Sequence, residues 1–426
     1  MERAVSDPEP AHGIVSPVNS SWQKGPLSPD DKEKVTKVLA ACRNRDLQTL
    51  AHLATSQGGL IEDEVRRTAW PILLGCHEHH SSEQADWTKL ERHRDEEQVE
   101  LDVNRSFVYY PENESKQRLD RRKSELSDLI TSVLRQHPIL CYFQGYHDIV
   151  QVLLLVLGAD GAEAAVARLS LLRIRDFMLP TLSGAESHLH LLPAILYAAD
   201  KELYQHLSGA TQPTPFFALA ATLTLYAHDI EEYGDIARLF DYLLASEAAV
   251  PVYLFAVIVM SRKKELLEID HDEPEMLHSI LAKLPKPLDI EGLITRTHTL
   301  FTQHPPQHLP YRAWSRVSNY SVLKTTRDPD AFAQQTLSYG EDLFQKQAAQ
   351  IRRQDAVKRM RERIQVLGYR YRRPARWTGA AVLVAVLALY FGRANGAGGL
   401  GEWISTALSA RHRVGELAQQ VLSRFW

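Results

Sequence analysis

The chain is poor in cysteine, and its charges nearly balance. Its three cysteines, Cys42, Cys76 and Cys141, are odd in number and widely spaced, which argues against a disulfide framework and suits reduced thiols facing the cytosol. The formal net charge of -4 lacks the basic excess that a dedicated nucleic-acid binder carries in its folded part, so no nucleic acid is expected as a partner. No G-x-x-x-x-G-K-[ST] phosphate loop occurs, and nucleotide binding by the chain alone is not expected. The N-terminus has no basic-then-apolar secretory signal. Convincing period-2 strands and internal repeats are also missing. What remains is a chain of 426 residues, 44% hydrophobic, long enough to bury one large core or two modest ones.

The periodicity that is present is helical. Residues 1–28 are polar and rich in Pro, Ser and Gly, and read as a disordered tail. Order is expected from Ser28-Pro29-Asp30-Asp31, where a serine N-cap, a proline in the first turn and early acids announce a helix to about Cys42. A second helix follows from Leu47. Glu62 to Leu74 reads as a mostly buried helix stopped by Gly75. Glu83 to Glu97 is densely charged and expected to be solvated. Leu119 to Arg135 has apolar residues at 126, 129, 130, 133 and 134, an amphipathic pattern ended by His137-Pro138. Helices are predicted at 149–157, 163–177, 188–207, 216–227, 236–245, 250–268, 274–284 and 288–302. The apolar stretch from Ala248 to Met260 is too short for a span and reads as a core helix.

Two polar motifs stand about forty residues apart: Val99-Glu100-Leu101-Asp102-Val103-Asn104-Arg105 and Tyr142-Phe143-Gln144-Gly145-Tyr146. The first leads into a loop broken by Pro111 and Asn113, and the second follows a helix break, so both would be presented at helix ends by a rigid frame. A Ras-type GTPase hydrolyses GTP slowly because charge on the γ-phosphoryl oxygens is under-neutralised and the attacking water is poorly held. An arginine meets the first need, and a glutamine amide, donor and acceptor at once, meets the second.

With Val65-Arg66-Arg67-Thr68-Ala69-Trp70-Pro71-Ile72-Leu73-Leu74-Gly75 before them, these motifs resemble the three opening signatures of the TBC domain family, GTPase-activating proteins for Rab GTPases. The likeness covers roughly residues 60 to 260. It implies an all-α helical TBC-type domain, with Arg105 as arginine finger and Gln144 as a glutamine finger supplied in trans. GTP and Mg²⁺ would be carried by the partner Rab, with no cofactor belonging to this chain and no hydrolase activity of its own. Val99 replaces the usual Ile and Tyr146 the usual Met, both at expected packing positions. Asp102 is expected to support the site through an ion pair to Arg105 or as a helix cap. Tyr142 and Gly145 are further supporting residues, Tyr142 through packing or a contact to the GTPase. Arg66 and Trp70, four apart on one helix face, are expected to serve the frame.

The C-terminal part has its own character. Residues 331–376 read as a basic helix or linker, followed by an uncharged run from Trp377 to Gly392. Sixteen helical residues span roughly 24 Å, close to the thinner endoplasmic reticulum bilayer. Arg370, Arg372, Arg373 and Arg376 precede the run and Arg393 alone follows it, which by the positive-inside rule keeps the long N-terminal part cytosolic. A transmembrane segment at 377–392 is therefore expected, with 393–426 as a lumenal amphipathic piece or the return leg of a hairpin.

The expected organisation is N-terminal helices at 29–59, the TBC domain at 60–262, its helical C-terminal part at 263–330, the basic segment and the anchor. The expected location is the endoplasmic reticulum or early Golgi membrane. A metal site from His77, Glu78, His79 and His80, with His188 and His190, is disfavoured because adjacent loop histidines do not reproduce H-E-x-x-H. A thiol hydrolase built on Cys141, His147 and Asp148 is disfavoured because nothing marks Cys141 as activated. The remaining alternative is a membrane-anchored, non-catalytic Rab-binding scaffold.

Overall fold

The structure, a computed structural model, describes residues 26–76, 86–111, 114–210, 214–270 and 273–394. The expectations for His77, Glu78, His79 and His80, for residues 1–25 of the N-terminal tail and for residues 395–426 lie outside these. Among the described residues all regular structure is helical. The helices are α1 (Pro29–Asn44), α2 (Leu47–Thr55), α3 (Asp63–Leu73), α4 (Glu96–Val103), α5 (Lys116–Gln136), α6 (Tyr146–Arg168), α7 (Ser183–Leu189), α8 (Leu191–Ala199), α9 (Lys201–Ala210) and α10 (Leu219–Leu223). They continue as α11 (Tyr233–Leu244), α12 (Val250–Ser261), α13 (Lys263–Leu267), α14 (Pro274–Leu281), α15 (Ile290–Gln303), α16 (Ala313–Arg316), α17 (Val322–Thr325), α18 (Pro329–Gln334) and α19 (Leu337–Ala394).

Local chemistry sets the helix ends. Ser28 Oγ accepts from the Asp31 N–H at 3.1 Å with Pro29 in the first turn, and Asp46 caps α2 through the Thr49 N–H at 3.0 Å. Gly75 follows α3 at φ +70°, where an added Cβ would meet Arg168 Nη2 at 2.6 Å and the Ala333 backbone at 2.8 Å. Only glycine fits that turn without strain. Gly158, at φ +75°, interrupts α6 and separates the two helices that periodicity predicts there.

The core is built around α6. From Tyr146 to Arg173 this helix is long and apolar enough to cross a membrane, yet 72% of its most apolar window is buried within the protein. It is the central core helix, with α3, α4 and α5 packed on it. The expected core helix at 248–260 is α12, buried from Val250 to Val259.

Several boundaries differ from expectation. The predicted helix 188–207 is three elements, because His190 ends α7 and the chain extends at Asp200 before α9. Of the charged stretch expected to be solvated, Glu83 to Glu97, residues 83–85 lie outside the described residues, and the charges of 86–97 are not simply solvated. Glu96 accepts from Arg135 of α5 at 2.7 and 2.9 Å, and His93 is buried with Nε2 3.0 Å from the Leu140 carbonyl. The first contact fastens α4 to α5 and the second ties the segment before α4 to the loop after α5, and α4 itself carries too mixed a face for periodicity to reveal it.

The folded unit also ends later than the expected 303–330. It runs to Ile351, because Phe332, Ala333, Leu343, Phe344 and Ala348 are buried and Arg168 donates to the carbonyls of Phe332, Ala333 and Gln335. The second unit begins at Arg352. Within it α19 continues to Ala394, with Val357, Met360, Ile364, Leu383, Val384, Val386 and Leu387 exposed.

Candidate functional site

Arg105 follows α4 directly. Its N–H donates to the Asp102 carbonyl at 3.0 Å and the Ser106 N–H to that of Val103 at 3.0 Å, so the helix closes just before the arginine. Phe107 then adopts φ +61°, a rare conformation for an aromatic residue. It is held there by its buried ring and by its N–H, which donates to Gln151 Oε1 of α6 at 2.9 Å. Lys123 of α5 donates to the Asn104 carbonyl at 2.7 Å. The backbone around Arg105 is thus fixed to two long helices. Its guanidinium is exposed, without a hydrogen bond or ion pair among the described residues.

Gln144 occupies the loop between α5 and α6 and is exposed. The Cys141 N–H donates to the Met178 carbonyl at 2.9 Å, and the Tyr142 N–H to Asp95 Oδ2 at 2.9 Å. Gly145 turns the chain into α6 at φ +100°, and a Cβ there would stand 2.5 Å from Thr224 Cγ2. Tyr146 is fully buried, its hydroxyl 2.7 Å from Ser170 Oγ. Tyr146 and the equally buried Val99 therefore occupy packing positions.

A side-chain hydrogen bond joins the two segments. The Tyr142 hydroxyl donates to Asp102 Oδ2 at 3.0 Å, three residues before Arg105 and two before Gln144. Gln98 Nε2 donates to the other Asp102 oxygen at 2.9 Å. The expected ion pair between Asp102 and Arg105 is not formed: the buried carboxylate is taken up by Gln98 and Tyr142, leaving the guanidinium free to turn outward. Burial and the Asp102 charge push the Tyr142 phenol upward, so it stays protonated as a donor.

The network continues past Tyr142. His147 Nδ1 lies 3.1 Å from the same hydroxyl, His147 Nε2 lies 3.3 Å from Asp148 Oδ1, and His228 Nδ1 lies 2.9 Å from Asp148 Oδ2. His228 and Thr224 come from the turn after α10, where Leu225 and Tyr226 both have positive φ, 50° and 67°. That turn also meets the Arg105 side of the site, through Tyr110 Oη to the Ala227 carbonyl at 3.3 Å. His228, Thr224 and Gln151 were not legible as site residues in the sequence. His147 and Asp148 stand next to the second motif, and the sequence offers them only as partners of Cys141 in the disfavoured thiol hydrolase.

Arg66 and Trp70 serve the frame. Arg66 is fully buried, donating to Asp241 through Nε at 3.0 Å and Nη2 at 3.0 Å and to Asp63 through Nη1 at 2.9 Å. Trp70 Nε1 donates to Asp241 Oδ1 at 2.8 Å, and the Leu60 N–H to Asp241 Oδ2 at 3.0 Å. Tyr233 Oη completes Asp63 at 2.7 Å. The cluster joins α3 to α11 and makes no hydrogen bond to Arg105 or Gln144 among the described residues.

The disfavoured chemistries find the same residues in other roles. Cys141 Sγ accepts from Arg94 Nη2 at 2.9 Å, and burial pushes its thiol up, opposite to an activated nucleophile. His188 Nε2 lies 3.1 Å from buried Asp176, and His190 Nε2 lies 3.1 Å from Thr214 Oγ1.

A family model, the Rab-GTPase-TBC domain, matches residues 63–267. TBC1 domain family member 20 of Bos taurus is 35% identical over 303 residues, covering 70% of this chain and 75% of the relative. GTPase-activating protein gyp10 of Schizosaccharomyces pombe is 34% identical over 323 residues, covering 75% of this chain and 85% of the relative. TBC1 domain family member 20 of Homo sapiens is 34% identical over 303 residues, with 70% and 75% covered. The match contains both polar motifs and the α3 helix before them, and the chain belongs to the Rab-GTPase-TBC domain family.

Proposed function

We propose that the chain is a GTPase-activating protein that accelerates GTP hydrolysis by a Rab GTPase of the early secretory pathway, with Arg105 and Gln144 entering the partner's active site. The observation that carries this reading is the Tyr142 to Asp102 hydrogen bond of 3.0 Å, which locks together the segments bearing two exposed, polar side chains. Such a pair is pre-organised, so little ordering is left for the moment of reaction. The Arg105 guanidinium would neutralise charge growing on the γ-phosphoryl oxygens, and the Gln144 amide would orient the attacking water. GTP and Mg²⁺ belong to the Rab, and the chain acts as an activator rather than a hydrolase.

Anchoring is the second part of the proposal. The 377–392 segment follows a stretch, 352–376, with ten basic and two acidic residues, which suits the cytosolic face of a bilayer. We place the protein on the endoplasmic reticulum or early Golgi membrane with its folded unit in the cytosol. A membrane-anchored Rab-binding scaffold without catalytic effect has no physical use for the exposed finger pair.

The test is single-turnover GTP hydrolysis across a Rab panel with wild type and Gln144→Ala. Strong loss in the variant at an unchanged melting temperature is expected, while replacing the Rab's own switch glutamine should matter much less. A Rab whose glutamine proves indispensable would overturn the role of Gln144, and no stimulation of any Rab would favour the scaffold.

A further inference from the structure

We propose that His147 is a positioning residue for the finger pair, its ring holding the Tyr142 hydroxyl so that the end of α4 and the 142–145 loop keep one register. The inference rests on the joint action of Arg105 and Gln144 proposed above.

The argument is a count of protons. Two hydrogen bonds line up: Asp102 Oδ2 to Tyr142 Oη at 3.0 Å and Tyr142 Oη to His147 Nδ1 at 3.1 Å. A carboxylate only accepts, so the phenol proton goes to Asp102 and the contact to His147 needs a proton on Nδ1. A neutral imidazole protonated at Nδ1 supplies it. The tautomer protonated at Nε2 would set lone pair against lone pair at the Tyr142 hydroxyl. Asp148 Oδ1, 3.3 Å from Nε2, acts on the ring through its charge.

The surroundings favour the neutral ring. His147 is buried, and the groups facing it come from three elements: Asp102 from α4, Asp148 from α6, and His228 from the turn after α10, with Asp229 beside it. Burial lowers its proton affinity, opposed by Asp148 and Asp102 and reinforced by His228. The net direction is below an ordinary histidine, so the ring is mostly neutral at neutral pH. Protonated at Nδ1, the neutral ring keeps its hydrogen bond to Tyr142, and Tyr142 is the tie between the finger segments.

The experiment uses the full chain in detergent micelles and the GTP-loaded Rab that wild type stimulates best. At saturating chain, His147→Ala is expected to slow single-turnover hydrolysis about tenfold, the upper end of the scale for a neutral hydrogen bond, with Rab affinity unchanged. His147→Asn, whose amide can donate near the Nδ1 position, should recover most of the rate. A His147→Ala rate equal to wild type, or an asparagine variant no better than alanine at matched melting temperatures, overturns the proposal. A second readout needs no Rab: nitrogen NMR of the His147 ring in the free chain, where Tyr142→Phe should move its titration. An unmoved titration overturns the proposal as well. The activator reading fails separately, when Arg105→Ala leaves stimulation intact.

Discussion

Arg66 and Asp241 form a closed fork between α3 and α11, Nε and Nη2 of the one against both oxygens of the other at 3.0 to 3.2 Å, with neither side chain reached by solvent. Burial alone would disfavour the Arg66 charge, but Asp241 and Asp63 outweigh it and raise its proton affinity. The guanidinium keeps its charge, and each side chain depends on the other. Asp241→Asn leaves the guanidinium with half its compensation and is expected to cost about 3 to 5 kcal/mol of stability. A thermal or denaturant melt measures it, and a loss within the range of an exposed pair would show that the fork is not what joins these helices.

Gly145 offers a paired test. An alanine there meets Thr224 Cγ2 at 2.5 Å and is held at φ +100°, so Gly145→Ala should displace Gln144 and reduce stimulated hydrolysis as well as stability, by about 1 to 3 kcal/mol for the backbone alone. Thr224→Ser removes the offending methyl while keeping a hydroxyl that can donate to the Ala220 carbonyl, as Thr224 does at 2.9 Å. The double variant should regain part of the activity and keep the backbone penalty. No recovery would mean that φ, rather than the close approach, dictates glycine.

How far the sequence announces this arrangement differs from residue to residue. Ser28-Pro29, the 126–134 stripe of α5 and the buried run of α12 are local signals, and each produced its helix where expected. Arg105 and Gln144 could be named as candidates because their motifs are contiguous. The Asp241 acceptor was not, since it stands 175 positions from Arg66, and no periodicity relates an acid on α11 to an arginine on α3. The same holds for His228, 80 positions from Asp148. Phe332 and Phe344 lie among polar residues, so the true end of the folded unit at Ile351 was masked by the composition around it.

The anchor is tested by truncation. Every side chain described as buried lies before Ile351, so deleting residues from Trp377 onward removes nothing from the folded unit. The fragment should be soluble, melt like the full chain and stimulate hydrolysis in solution. Its retention on carbonate-washed membranes would defeat the anchoring proposal, and lost activity at an unchanged melt would place the tail within the catalytic unit.

Arg105 gives the sharpest test. Its backbone is fixed by Lys123, Gln151 and the Asp102 carbonyl while its guanidinium stays unpartnered among the described residues, so substitution there should leave the fold unchanged. A planar guanidinium can bridge two phosphate oxygens in fixed geometry, whereas an ammonium is a more strongly hydrated point charge. Both Arg105→Ala and Arg105→Lys are therefore expected to lose most of the stimulation, an arginine finger being worth about 10³ to 10⁵ in rate. The contact strengthens as charge develops, which puts the loss in the hydrolysis step and leaves ground-state Rab affinity nearly unchanged. Single-turnover hydrolysis, a binding titration and a melt on each variant separate these effects. Near-normal hydrolysis by the lysine variant, or a loss accounted for by weaker binding, would remove Arg105 from the finger position.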